Sequence, residues 1–83
     1  MNFVEMIESL VKPLLNNQEG VQVKEISDID DNLTVEILVN ADDLGRVIGR
    51  EGRVANAIRT IAYSAAIKEG KKIRINFDTL VAE

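Results

Sequence analysis

The chain has no cysteine, no histidine and no tryptophan. Without cysteine, disulfides and thiolate metal sites are excluded. Without histidine, the commonest general base and the commonest metal ligand are missing. Catalysis would have to rest on carboxylates or lysine, so no enzyme is expected, and no metal or other cofactor. Long apolar runs are absent too: no stretch approaches the roughly 18–20 residues that span a bilayer. The opening "MNFVEMIESLVKPLL" is interrupted by Glu5, Glu8 and Lys12. It lacks the basic start and unbroken apolar centre of a signal peptide. A soluble, cytoplasmic protein with no membrane partner and no small-molecule substrate is the expectation.

The 83 residues suit one domain across 1–83. A chain this short buries only about 60–65% of the surface its unfolded form exposes, so its core must be compact. The net charge of -4 hides an asymmetry. Residues 1–43 carry two basic and ten acidic side chains, and residues 44–83 carry eight basic and four acidic. Such a division either marks an interaction face or averages out once the halves intermix.

Residues 2–16 read as a helix, with Phe3, Ile7, Leu10, Val11, Leu14 and Leu15 on one face. Pro13 predicts a kink or a fresh start, and Gly20 in "NNQEG" ends the segment. Residues 21–29 and 33–39 read as strands joined by the turn residues "DIDDN". Leu33, Val35, Ile37 and Val39 alternate with Thr34, Glu36 and Leu38. Asn40 or Asp42 can start a short helix carrying Leu44, Val47 and Ile48, weakened by Gly45. The Asp42-Asp43 pair reads as helix-start chemistry rather than an acid/base pair. A longer helix follows, with Val54, Ala57, Ile58, Ile61, Ala62 and Ala65 as its stripe and Gly70 as its stop. Ile73, Ile75 and Phe77 mark a third strand over 72–77, and the last few residues are expected to fray. The order α-β-β-α-α-β, with three strands and the helices packed on one face, is an α+β sandwich.

The most informative stretch is "VIGREGRVANAIRTI", residues 47 to 61. Gly49 and Gly52 bracket Arg50 and Glu51 between two helices. Glycine lets the backbone adopt otherwise strained angles and lets a ligand approach closely. The second helix begins with unpaired N–H groups and partial positive charge, suited to an oxyanion. Arg46, Arg50 and Arg53 surround the same point. A P-loop fails, because Arg53-Val54 follow Gly52 where Lys and then Ser or Thr are needed. A dinucleotide fingerprint fails on the spacing of Gly45, Gly49 and Gly52 and on the preceding helix. A helix-GxxG-helix clamp, which holds about four nucleotides of single strand, fits. Phe3, Tyr63 and Phe77 are the only aromatics. Phe3 and Phe77 lie in apolar stripes and read as core, so no aromatic stacking platform is expected.

This stretch resembles the signature of KH domains: an aliphatic pair, Gly-x-x-Gly, then aliphatic positions along a helix. The element order resembles the type II, bacterial KH fold. From "VKPLL" through "DLGRVIGREGR" and "AIRTI" to the closing strand, the chain is similar to the KhpA-like family of small single-KH-domain RNA-binding proteins. The resemblance implies a single KH domain that binds single-stranded RNA. It implies a homodimer, a heteromer with a larger multi-domain KhpB-like (Jag/EloR) protein, or both. It implies RNA chaperoning, post-transcriptional control and a link to cell-wall and cell-shape regulation. The residues assigned to RNA are Arg46, Val47, Ile48, Gly49, Arg50, Glu51, Gly52, Arg53 and Asn56, with Val47, Ile48 and Ile58 under the bases as an apolar floor. Arg59 and Lys68 read as ordinary helix-surface charges. Two departures stand out. Ala55 replaces a larger aliphatic, loosening the groove floor. Glu51 stands where a basic residue is common, either capping the next helix or pairing with Arg50, and it lowers affinity. The rival reading is a protein-interaction module in which the fold serves as a dimerisation surface. Aspartate at both Gly49 and Gly52 is expected to abolish RNA binding with the fold intact.

Overall fold

The computed structural model describes residues 2–80. The tail expected to fray falls outside them. Helix α1 (Phe3–Val11) buries Phe3, Ile7 and Val11, spaced by four. Asn2 starts it, its side-chain oxygen accepting the N–H of Glu5 at 3.1 Å. The helix expected to reach residue 16 stops at Val11. A 3-10 turn over Lys12–Leu14 takes over, with Pro13 in its opening positions. Proline lacks an N–H and clashes with the preceding turn, so the chain restarts there. Leu15 is extended and buried, and a second 3-10 turn, Gln18–Gly20, leads into the sheet.

Strands β1 (Gln22–Ile29) and β2 (Asn32–Val39) form an antiparallel hairpin. Asp30 and Asp31 have φ of 52° and 64°, as a two-residue type I′ turn requires. A bulge at Ile26 shifts the register between Glu25 and Ser27. Strand β3 (Lys72–Thr79) runs parallel to β2, giving the order β1-β2-β3. A parallel neighbour requires a crossover, and helices α2 (Ala41–Ile48) and α3 (Arg53–Lys68) provide it.

The central strand carries the core. Leu33, Val35, Ile37 and Val39 are all buried, with Ile73 and Ile75 beside them and the helices' Ile7, Val11, Val47, Ile58, Ala62 and Ala66 above. Each large aliphatic contributes about 1.5–3 kcal/mol. The stripe of α3 is rotated from the one expected. Ala55, Ile58, Ala62 and Ala66 are buried, whereas Ala57 is exposed and Ile61 is 48% exposed. Small residues line the buried side, so α3 packs close. Among the described residues no helix is long and apolar enough to cross a membrane.

Candidate nucleic-acid interface

The turn between α2 and α3 is built from positive backbone angles. Gly49 (φ 75°, ψ 173°) ends α2, Arg50–Gly52 forms one 3-10 turn, and Gly52 (φ 75°, ψ 14°) opens α3. The two glycines are needed for different reasons. A Cβ on Gly49 would sit 2.5 Å from Val54 Cγ2 and 2.9 Å from its backbone nitrogen. On Gly52 it would meet only Asn56 Nδ2, at 3.9 Å. Gly49 is therefore closed by packing, and Gly52 faces open space with strained angles only. No side chain caps the start of α3. The N–H groups of Gly52 and Arg53 are taken up inside the turn by the carbonyls of Gly49 and Arg50, and the partial positive charge of the helix N-terminus remains. The expectation that aspartate at both glycines leaves the fold intact does not survive at Gly49, where Val54 stands in the way.

The charged side chains divide their duties. Arg50 is exposed and forms no ion pair with the described residues. Glu51 pairs with Arg53 at 3.7 Å rather than with Arg50, both ends well exposed. Glu51 holds φ 57°, an uncommon angle for a residue with a Cβ. Arg46 leans back on Asp43, Nε to Oδ1 at 3.7 Å. Val47 is wholly buried and Ile48 half-buried, which places them beneath the turn. Ile58 and Ala55 are buried as well. Of the side chains expected to floor the groove, Val47 and Ile58 lie in the core and Ile48 is half-buried.

Asp43 does more than start a helix. It is fully buried in the first turn of α2. Its oxygens accept the backbone N–H groups of Asn16 and Asn17 at 3.0 Å each, and the side-chain amide of Asn17 at 3.2 Å. The Asn16 N–H holds the carboxyl below its ordinary pKa, aided by Asn17 and Arg46 and opposed by burial. The carboxylate thus ties the loop after α1 to the helix that leads into the glycine turn.

Beyond the turn, α3 packs beside β3, the edge strand of the sheet. The N–H groups of Lys72 and Leu80 donate to Asp31 and Val39 at 2.8 Å, so even-numbered β3 residues face β2. The backbone groups of Ile73, Ile75 and Phe77 face the edge. Arg59 closes part of this edge: Nε and Nη2 donate to the Ile75 carbonyl at 3.4 and 3.3 Å. Its guanidinium lies 5.1 Å from the centroid of the half-buried Phe77 ring. Asn56 accepts from Arg59 Nη1 at 3.4 Å. One turn further, Tyr63 lines two shallow hollows of about 260 and 470 Å³ with Ile73 and Lys72. Asn56, Arg59 and Tyr63 recur at helical spacing on one flank of α3. That spacing, set beside the alternation of β3, was the signal that could have placed Arg59 and Tyr63 at the site.

The sequence pattern of the family described as KhpA/KhpB, KH domain, matches residues 4–77. This chain belongs to that KH-domain family. It is 45% identical to the RNA-binding protein KhpA of Listeria monocytogenes over 71 residues, covering 86% of this chain and 92% of the relative. Identity to the RNA-binding protein KhpA of Clostridium perfringens is 42% over 69 residues, 83% of this chain and 91% of that one. Among solved structures, Aquifex aeolicus Era bound to GDP and aluminium fluoride superposes with a TM-score of 0.65 at 17% identity. That match covers 98% of this chain and 31% of Era. Era in complex with MgGDPNP and nucleotides 1506–1542 of 16S ribosomal RNA gives 0.62 at 19% identity, with 96% and 30% covered. This chain thus spans about a third of Era, and the likeness establishes the fold: an α+β, type II KH arrangement. For a KhpA/KhpB KH domain, the turn at residues 49–52 is the GxxG element, here held shut on one side by Val54 and left open on the other.

Proposed function

We propose that this chain binds single-stranded RNA. The sugar-phosphate backbone crosses the turn at Gly49–Gly52, and the bases lie beside α3 and the β3 edge. The observation that carries this is the open side of Gly52 beside the uncapped start of α3. Bare main chain, the partial positive charge of the helix start and the exposed Arg50 meet there, as a phosphate contact requires. Arg50 and Arg53 contact phosphate and Asn56 reaches a base or phosphate. Arg46 assists less, because Asp43 competes for it, and Val47 and Ile48 shape the turn from below. Naming of the relatives as RNA-binding proteins supports the reading.

The family supports a wider role: an RNA chaperone and post-transcriptional regulator in the cytoplasm, linked to cell-wall and cell-shape control. It would act as a homodimer or with a KhpB-like multi-domain partner. A net-negative body with few phosphate contacts binds weakly by itself, and a second RNA-binding unit raises affinity through effective concentration. Arg50→Asp tests the reading, since Arg50 is exposed and forms no ion pair among the described residues. Fluorescence anisotropy with a short single-stranded RNA should show affinity falling about ten-fold or more, with an unchanged circular dichroism spectrum. Unchanged affinity would mean that the turn is not the RNA site.

A second reading, a protein-interaction module, is favoured by the exposed apolar side chains of α3. Ile61, Tyr63 and Ile67 are 48%, 42% and 74% exposed. Sedimentation across a concentration range distinguishes them. Self-association without RNA affinity favours this reading.

A further inference from the structure

We infer that Arg59 selects the base beside the clamped backbone, favouring one that carries two hydrogen-bond acceptors side by side on an edge. The inference rests on the RNA-binding reading above and names the base chemistry preferred beside the β3 edge.

The guanidinium is fixed by its surroundings. Nε and Nη2 share the Ile75 carbonyl, Nη1 donates to Asn56 Oδ1, and Phe77 lies against the group at 5.1 Å. A guanidinium has five N–H donors and no acceptor. These bonds use three of them. The other two, one on each terminal nitrogen, meet no acceptor among the described residues. Arg59 is half-buried, so part of its side chain stays open to a ligand beside the β3 edge. With a rise of about 1.5 Å per residue, Arg59 lies about 10 Å along α3 from Gly52. That is within the span of the four or so nucleotides such a turn holds.

Two donors on neighbouring nitrogens of a rigid plane match two neighbouring acceptors. Guanine offers O6 and N7, and cytosine offers O2 and N3. Adenine N1 and N7 each neighbour the N6 amino group and its N3 stands alone, and uracil O2 and O4 are separated by the N3–H donor, so neither base offers two acceptors side by side. Lysine, a single rotating ammonium, cannot reproduce the fork. A role confined to covering the β3 edge would make Arg59 matter for stability but leave it indifferent to base identity.

The test uses the full chain and four eight-nucleotide RNAs: all uracil, or uracil with one central guanine, cytosine or adenine. The unaltered protein should bind the guanine or the cytosine RNA at least about five-fold more tightly than the other two. The two arms tell which base supplies the acceptors. R59K should bring the preference below about two-fold. R50D should weaken all four by a similar factor. Because R59K can also loosen the β3 edge, 7-deazaguanine or 3-deazacytosine replaces the preferred base against the unaltered protein. Loss of the ring acceptor should erase the preference. Equal affinity for all four RNAs, a preference that survives R59K, or one that survives the deaza base overturns the assignment to Arg59 alone. No binding to any of the four overturns the RNA-binding reading itself.

Discussion

Gly49 and Gly52 share a backbone angle and differ in what surrounds them. An added methyl on Gly49 collides with Val54, whereas on Gly52 it enters open space. Gly52→Ala should therefore cost only the left-handed strain, about 1–2 kcal/mol. Gly49→Ala adds overpacking of about 1–3 kcal/mol. Urea unfolding of both variants checks the order, and Val54→Ala in the Gly49→Ala background should recover part of the loss. Glu51 offers the opposite experiment. Its carboxylate occupies Arg53 and repels phosphate, and its φ of 57° suits asparagine better than glutamate. Glu51→Asn should raise RNA affinity several-fold, as expected for a surface charge worth up to about 1 kcal/mol, with no loss in melting midpoint. Anisotropy and thermal melts read both. That Glu51 stands between the two glycines was visible in the sequence. That it pairs with Arg53 was not, because the pairing depends on the backbone angle at a single residue.

Elements hold the site in place through contacts remote in the chain. The start of α2 is tied to the loop after α1 by Asp43, across 26 and 27 residues of sequence. The carboxyl is held below its ordinary value of 3.8, chiefly by the Asn16 N–H, against burial and with help from Asn17 and Arg46. A depressed native value means that the unfolded chain takes up the proton more readily, so acid favours unfolding. This stabilisation is complete above the ordinary carboxylate range. It is lost as pH falls below about 4 and passes through the native value. Asp43→Asn puts an amide N–H₂ against donors on Asn17. It should lower the melting midpoint at pH 7, with the gap to the unaltered protein closing as pH drops below about 4. Element types and order were legible from periodicity and glycine placement. The rotation of α3 was not. Ile61 and Ala55 are each apolar, and only packing against the sheet decides that the small one goes inside.

At the scale of the molecule, the sheet order decides whether the charge asymmetry of the chain survives folding. Strand β1, with Glu25 and Asp28, lies at one edge, and β3, with Lys72 and Arg74, lies at the other. The acidic and basic halves nonetheless meet where β3 begins: Lys71 bonds Asp28 at 2.7 Å, with Asp31 and Glu25 near enough to raise its pKa further. Arg50 and Arg53 stand at the turn, and Arg46 is shared with Asp43. With up to three phosphate contacts, log K for RNA against log salt should slope by about −2, at roughly −0.7 per contact. A titration from low to physiological salt measures it, and Arg50→Asp should flatten it by about one contact.

The amino-acid sequence alone determined the element order, the central strand, the position of the glycine turn and the absence of thiol and imidazole chemistry. These follow from local periodicity and composition, which need no knowledge of neighbours. Tertiary structure alone decided which glycine is closed by packing, where Asp43 sends its charge, and that Arg59 lies on the β3 edge over Phe77. Each of these depends on groups far apart in the chain arriving at the same point, and residue type carries no record of which partner will be there.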